Sequence, residues 1–329
     1  MTQDPLHLVC IEPRFPGRLG PVADWLVRRR GYRCRFLCTD ADARDLWPES
    51  VGRGLDVVLC PVSGEGSVGW TRVLERSLAH ARGYYQYLDH ERLKPIELVL
   101  GRSAGLGSTL FVPVFQPGVP IVNLFDYFYQ PRTYDLTADV RPGIPDAYWH
   151  WRRAANAIDL LDLDNGVTPW TTTAWQRDLY PEEYRADFLL QHDGVDVPRG
   201  RQQAGSAPRT IFGRTVMAQA RVVTFISRTL DRLRGFDRFV NLANRLQRAR
   251  SDVLCVVLGA PVVRRGLDVE FFGQDYRAHV LAREPLHDAS RVWFVDLARP
   301  SQVADVLAAS DLHVYPSRPY PVARSLLEA

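Results

Sequence analysis

Two arginines, Arg228 and Arg234, stand six residues apart in Ser227-Arg228-Thr229-Leu230-Asp231-Arg232-Leu233-Arg234-Gly235, where an apolar strand-like run ends and an amphipathic helix opens. Each guanidinium offers paired N–H donors that match two phosphate oxygens. Two of them converging on the carboxyl end of a strand therefore suit a diphosphate. The same residues could equally form a solvated surface, because Lys94 is the only lysine among 41 basic residues and arginine is abundant everywhere else. A second stretch bears on that choice. Ser310–Ala329 (SDLHVYPSRPYPVARSLLEA) runs from a strand through a proline-rich turn into a helix. Amides at the start of such a helix, around Val322 and Ala323, are donors to an anion. Glu328 lies too far along that helix for the phosphates; it could accept hydrogen bonds from sugar hydroxyls, or simply face solvent.

The elements that must position these residues follow from hydrophobic period and punctuation. The pattern predicts strands at Leu6–Ile11, Arg33–Cys38, Leu55–Val62, Ile96–Leu100 and Pro120–Phe125, with helices over Leu19–Arg30, Val68–Leu93 and Asp146–Leu163. Glycine turns at Pro13–Gly20 and Gly101–Ser108 follow two of the strands. After the polar stretch Val197–Arg209, read as a linker, a second series begins. Strands are expected at Arg221–Ile226, Asp252–Gly259, Arg291–Val295 and Leu312–Tyr315. Helices are expected at Phe236–Ala249, Gln274–Arg283 and Ser301–Ala309, with Ser301 as N-cap, and near Pro321. Strand, turn and helix in repetition imply parallel α/β sheets, which bind ligands at the carboxyl ends of their strands. The expected architecture is two Rossmann-like domains, residues 1–200 and 201–329, with a cleft between them. The last helix stops at Ala329 after a turn or two, so the second domain is expected to be incomplete, as in a truncated chain.

At this point the sequence resembles a known family. Arg228…Arg234-Gly235 followed by HVYPSRPYPVARSLLEA is similar to the retaining GT-B glycosyltransferases of family 4. The resemblance implies that Arg228 and Arg234 hold the diphosphate of a nucleotide-sugar donor and serve catalysis. The second stands where the family usually has lysine. It implies that Glu328 is the ribose-binding end of the family's Glu-x7-Glu motif. The first glutamate of that motif falls at Tyr320; one branch carries an aromatic there, in a PF-x4-SLLEA pattern similar to Pro319-Tyr320…Ser325-Leu326-Leu327-Glu328-Ala329. Tyr320, Val322 and Ala323 thus join the donor-binding set. In the first domain, Gly17 and Gly20 of PGRLG resemble the family's glycine-rich loop near the donor phosphates. Thr168–Gln176 resembles its strand-to-helix segment, and Gln191–Asp196 its domain-exit motif. Ser103-Ala104-Gly105-Leu106-Gly107 resembles a branch pattern of type HPGWG, with Ser103 in the place of the histidine. Phe125-Asp126-Tyr127-Phe128-Tyr129 resembles an acidic-aromatic segment. Ser103, Gly105, Gly107 and Asp126 are therefore the candidates for the acceptor side of the cleft.

The remaining features exclude more than they assign. With 41 basic against 38 acidic residues, the chain has no charge signature of a nucleic-acid binder. Five cysteines (Cys10, Cys34, Cys38, Cys60 and Cys255) form no zinc spacing, and three lie in apolar strands as small hydrophobes. The opening residues MTQDPLHLVCIEPRF do not read as a signal peptide, and no window reaches 18 consecutive apolar residues, so a cytoplasmic protein is expected; an arginine-rich face could still touch an anionic bilayer peripherally. No G-x-G-x-x-G motif supports a nicotinamide site. Glu65, in a glycine-rich turn, could face the cleft. Tyr84, Tyr85 and Tyr87 read as helix packing before a sugar platform, and His192 and His313 as strand-end residues. The expectation is transfer of a sugar, with retention of configuration, from a nucleotide-diphosphate donor to a saccharide or lipid-linked acceptor, without metal or cofactor. Two alternatives stay open: a non-catalytic GT-B-like binding protein, which Tyr320 and Ser103 favour, and a sugar-nucleotide epimerase of the same fold.

Overall fold

The computed structural model describes residues 6–42, 44, 47–63, 70–90, 96–103, 106–130, 146–192, 194, 208–261, 275–296 and 300–329. The chain divides into two compact units, one of Met1–Thr133 with Ala138–Asp193 and one of Tyr134–Thr137 with Gly194–Ala329.

In chain order the first unit contains β1 (His7–Ile11), β2 (Arg14–Phe15), α1 (Leu19–Arg30), β3 (Arg33–Cys38), β4 (Asp40–Ala41), β5 (Leu55–Leu59), α2 (Arg72–His90), β6 (Leu98–Gly101), α3 (Val112–Phe115) and β7 (Ile121–Leu124). It continues with α4 (Asp146–Asp164), β8 (Thr168–Thr171), α5 (Ala174–Arg177), α6 (Glu182–Arg185) and β9 (Leu189–Leu190). Seven strands pair in parallel in the order β5-β3-β1-β6-β7-β8-β9. Helix α1 shows why these residues fold as they do. Leu19, Ala23 and Val27 recur every four positions and are buried, giving one apolar stripe against the sheet. Gly31 ends the helix in the left-handed region, its N–H donating to the carbonyl of Val27 at 3.2 Å, and Arg28, Arg29 and Arg30 complement the carbonyl end of the dipole. Together with Leu8, Cys10, Phe15, Phe36 and Leu55 that stripe builds one core. All five cysteines are buried and unbridged. Tyr84 is buried on α2 and donates from its hydroxyl to the carbonyl of Leu106 at 3.0 Å, a packing role.

The second unit contains the antiparallel hairpin β10 (Arg209–Ile211) and β11 (Arg214–Val216), then β12 (Arg221–Thr229), α7 (Phe236–Ala249), β13 (Val253–Ala260), α8 (Tyr276–Arg283), β14 (Val292–Val295), α9 (Pro300–Ala308), β15 (Leu312–His313) and α10 (Arg324–Glu328). Its four-stranded sheet is parallel, in the order β14-β13-β12-β15. Phe236, Phe239, Val240 and Ala243 of α7 pack on Val223, Phe225, Cys255 and Val257 of the sheet.

Several expectations change. The strand expected over Leu55–Val62 ends at Leu59. It becomes β5, the edge of the sheet, and Leu59 is 61% exposed, because an edge strand is covered on fewer sides than a central one. Ser301 is the second residue of α9 rather than its cap. The strand expected to Tyr315 ends at His313; the Val314 N–H still donates to the carbonyl of Thr224 at 2.8 Å, and Tyr315 meets the turn that follows β12. Of the stretch read as a linker, residues 197–207 lie outside the described residues, and so does Glu65. Arg209 belongs to the fold: its Nη1 donates to the carbonyl of Ala309 at 2.8 Å and to Asp311 at 3.1 Å, fastening the hairpin to the start of β15.

Candidate functional site

Each large sheet begins in its middle and then reverses direction, at β1/β6 in the first unit and at β12/β15 in the second. A crevice opens beyond the carboxyl ends of the strands at such a reversal, and the chemistry-bearing residues stand there in both units.

In the second unit, β12 ends at Thr229 and the chain turns through Asp231 into α7. Thr229 donates to Asp231 at 2.6 Å, and Asp231 accepts the backbone N–H of Arg234 at 2.8 Å. Gly235 follows at φ +78°, and a Cβ there would overlap the backbone of Pro316. Only glycine lets the two segments approach this closely. Arg318 fastens the same contact. It is buried, pairs with Asp237 at 3.0 Å and reaches the carbonyl of Arg232, while its own N–H meets the carbonyl of Leu233 at 2.8 Å.

Arg234 is half-buried in this corner. Its Nη1 donates to the hydroxyl of Tyr315 at 3.0 Å and to the carbonyl of Pro321 at 3.1 Å, and its guanidinium lies 5.3 Å from the ring centre of Tyr320. Among the described residues no carboxylate pairs with it, and no acceptor binds its Nε or Nη2. The structure thus joins Arg234 and Tyr320. Val322, half-buried, follows Pro321, and Ala323 joins through Tyr315: the Ala323 N–H donates to the Tyr315 hydroxyl at 3.1 Å. That amide is therefore engaged within the protein and not held open for an anion. Arg228 is exposed near the end of β12. Glu328 sits apart from this contact set, with Oε1 3.3 Å from Nε of Arg324 one turn earlier on α10. His313, half-buried on β15, shares a hydrogen bond with Thr224 at 3.0 Å, and burial pushes its ring pKa down to about 4. It is neutral at pH 7.

In the first unit the carboxyl ends of β1, β6 and β7 carry Glu12, Arg102 and Asp126. Glu12 is 1% exposed. Its Oε2 accepts the backbone N–H groups of Arg18 and Leu19, both at 2.8 Å, so a carboxylate of the protein itself occupies the start of α1. Its Oε1 accepts from Arg102 at 2.7 Å. Arg102 also gives Asp126 two bonds, from Nε at 2.9 Å and Nη2 at 2.6 Å, and Arg18 pairs with the other oxygen of Asp126. Burial pushes the Glu12 carboxyl above its ordinary value against the pull of Arg102 and the two amides. Burial works the same way on Asp126, but Arg102 and Arg18 outweigh it and hold that carboxyl low. The result is a balanced quartet of two acids and two arginines that pins the glycine loop. Gly17 lies at φ +55°, and a Cβ there would overlap the Glu12 carboxylate and sit 2.5 Å from the carbonyl oxygen of Arg14. Gly20 packs on Pro16.

Ser103 is fully buried, so its hydroxyl is not presented to a cleft. It lies within hydrogen-bond distance of both Asp159, at 3.1 Å, and Asp162. One hydroxyl hydrogen cannot serve two carboxylates, so one acid must carry a proton. Burial and then the Asp162 charge push Asp159 well up, while burial lifts Asp162 to about 6 against the hydroxyls of Ser103 and Ser108. Tyr180 donates to Asp159 at 3.2 Å and Ser108 to Asp162 at 2.9 Å. This network ties Ser103 and Ser108 to α4. Gly107 accepts the N–H of Arg102 at 3.1 Å through its carbonyl, and Gly105 lies outside the described residues. Glu12, Arg102 and Tyr315 were not anticipated, yet a signal existed: the first two directly follow the strands HLVCI and LVLG, where side chains reach the ligand end of the sheet.

A profile of the glycosyl transferase family 4 group matches residues 31–199, just over half of the chain. The chain belongs to that family. Solved structures agree on its GT-B architecture. The chain shares 15% identity with the glycosyltransferase WaaG, involved in lipopolysaccharide biosynthesis, over 98% of this chain and 78% of that one, with a TM-score of 0.59. Sucrose-phosphate synthase from Thermosynechococcus elongatus gives 12% identity, the same coverages and 0.61. The catalytic domain of starch synthase IV from Arabidopsis thaliana, bound to ADP and acarbose, gives 14% identity, 99% and 81% coverage and 0.60. No significant match among curated proteins was found. This family 4 chain has, among its described residues, no helix long and apolar enough to cross a membrane.

Proposed function

We propose that this glycosyltransferase-family protein moves a hexosyl group from a nucleotide-diphosphate sugar to a saccharide or lipid-linked acceptor with retention of anomeric configuration. The observation that carries the reading is Arg234. Its charge has no carboxylate partner among the described residues. It is held by two neutral oxygens and an aromatic face, and among the described residues its Nε and Nη2 have no acceptor. A half-buried cation in that state calls for an anion from outside. Arg234 and Arg228 would hold the donor diphosphate on the second unit and stabilise the negative charge that grows on it as the sugar departs. That role needs no metal ion. Glu328 would take the ribose hydroxyls, and the first unit, around Asp126 and Gly107, would take the acceptor. In a cell the protein would work in the cytoplasm or at a membrane surface facing it.

The test is calorimetric titration with UDP, GDP, ADP and dTDP, followed by turnover of the matching sugar nucleotides and assignment of the product anomer by NMR. Replacing Arg234 with alanine is expected to weaken diphosphate binding by about 1.5–3 kcal/mol, the range for a hydrogen bond to a charged group. Unchanged affinity in that variant would overturn the reading. Donor turnover that needs no acceptor would point to an epimerase, and binding without turnover to a non-catalytic protein.

A further inference from the structure

The residue that aims Arg234 lies in the distal segment HVYPSRPYPVARSLLEA, 81 positions along the chain. We propose that Tyr315 is a positioning residue for the donor diphosphate, acting through Arg234; the proposal rests on the donor reading above. Tyr315 lies two residues beyond the end of β15, beside the turn that follows β12. Its hydroxyl oxygen accepts from Arg234 Nη1 at 3.0 Å and from the N–H of Ala323 at 3.1 Å, and the hydroxyl hydrogen faces the carbonyl of Pro321 at 3.4 Å. Pro321 in turn accepts from the same Nη1 at 3.1 Å. One hydroxyl thereby ties three segments together: the β12–α7 turn, the end of β15 and the residues that open α10.

Two consequences follow for a bound phosphate. Because Nη1 is consumed, the edge of the guanidinium left to a ligand is the one formed by Nε and Nη2, whose parallel N–H bonds match two oxygens of one phosphate. The Tyr320 ring lies against that guanidinium, so rotation about the long side chain is restrained before the ligand arrives. Ordering a free arginine on binding would otherwise subtract from affinity. The oxygens of Tyr315 and Pro321 are also neutral. A carboxylate in their place would hold Arg234 equally well but would compete with the phosphate for its charge.

Removing only the hydroxyl, in Tyr315→Phe, keeps the ring and its packing. Calorimetry on the full chain would compare wild type, Tyr315→Phe, Arg234→Ala and the double variant, using UDP, GDP, ADP and dTDP with the corresponding nucleosides. The phenylalanine variant is expected to bind the diphosphate about three- to tenfold more weakly, the worth of one hydrogen bond, with nucleoside affinity unchanged. In the Arg234→Ala background it should add no further loss, since its effect passes through that arginine. Wild-type affinity in Tyr315→Phe would overturn the proposal. So would an equal fall for nucleoside and diphosphate, which marks a merely structural role, or losses that multiply in the double variant. If wild type binds no diphosphate, or Arg234→Ala leaves binding intact, the donor reading itself falls and this proposal with it. The two failures are therefore distinct.

Discussion

Replacing Arg102 with alanine would test whether the charged quartet holds the first unit's glycine loop. The guanidinium makes three bonds, one to Glu12 and two to Asp126, at 2.6–2.9 Å. Its side chain is 26% exposed, whereas those of Glu12 and Asp126 are 1% and 13% exposed. Removing one partner of a buried pair costs about 3–5 kcal/mol, because the other charge remains without compensation. Glu12 would keep the amides of Arg18 and Leu19, and Asp126 would keep Arg18. The low end, about 3 kcal/mol, is therefore expected; for a unit of this size that is a fall in Tm of roughly 6–12 °C. The loss also has a pH signature. Without Arg102 the folded-state pKa of both acids rises, so the folded variant binds protons more readily than folded wild type. The deficit should then be largest near pH 8 and shrink toward pH 5. Denaturant unfolding of both proteins at the two pH values would check it. A deficit below about 1 kcal/mol, or one equal at both pH values, would refute the view that Arg102 neutralises buried carboxylates.

Two further outcomes follow from the same unit. Gly17→Ala should lower stability by at least about 1–3 kcal/mol, the cost of a non-glycine residue in the left-handed region, with the overlap on Glu12 added; a melt equal to wild type would show that the loop rearranges freely. Asp159→Asn should be tolerated to within about 1 kcal/mol, because an amide can donate to Ser103 and accept from Tyr180 as the protonated acid does. It should also flatten the pH dependence. The stabilising contribution of Asp159 is complete below its ordinary value of 3.8 and is lost as pH rises through its raised folded value, whereas asparagine does not titrate. Asp162, lifted to about 6, would lose its contribution over the interval from about 4 to 6 in both proteins. Unfolding free energies from pH 4 to 8 would decide, and a loss of several kcal/mol in Asp159→Asn would show that the acid is ionised.

The order of elements was open to reading because hydrophobic period is local. The Leu19, Ala23 and Val27 stripe with Gly31 behind it announces α1, and the apolar runs ending at Ile11 and Gly101 announce strands. The arginine spacing around Gly235 and the terminal SLLEA pattern pointed to the family that the profile match then showed. Burial across the sheet was less legible. Leu55–Leu59 looks as apolar as a central strand, but pairing order, which the local sequence does not state, puts it at the edge.

Residue types and local spacing determined that this chain forms alternating strands and helices, and that Arg234 follows a strand with Tyr320 in the distal segment. Only tertiary structure decided what those residues touch. Arg234 meets Tyr315 across 81 positions of chain, and Arg102 meets Glu12 across 90. Such contacts arise where a parallel sheet reverses direction and brings distant strand ends together. The Coulomb and hydrogen-bond energies that set their charge states depend on distance in space and on burial, and neither is written in the order of residues along a strand.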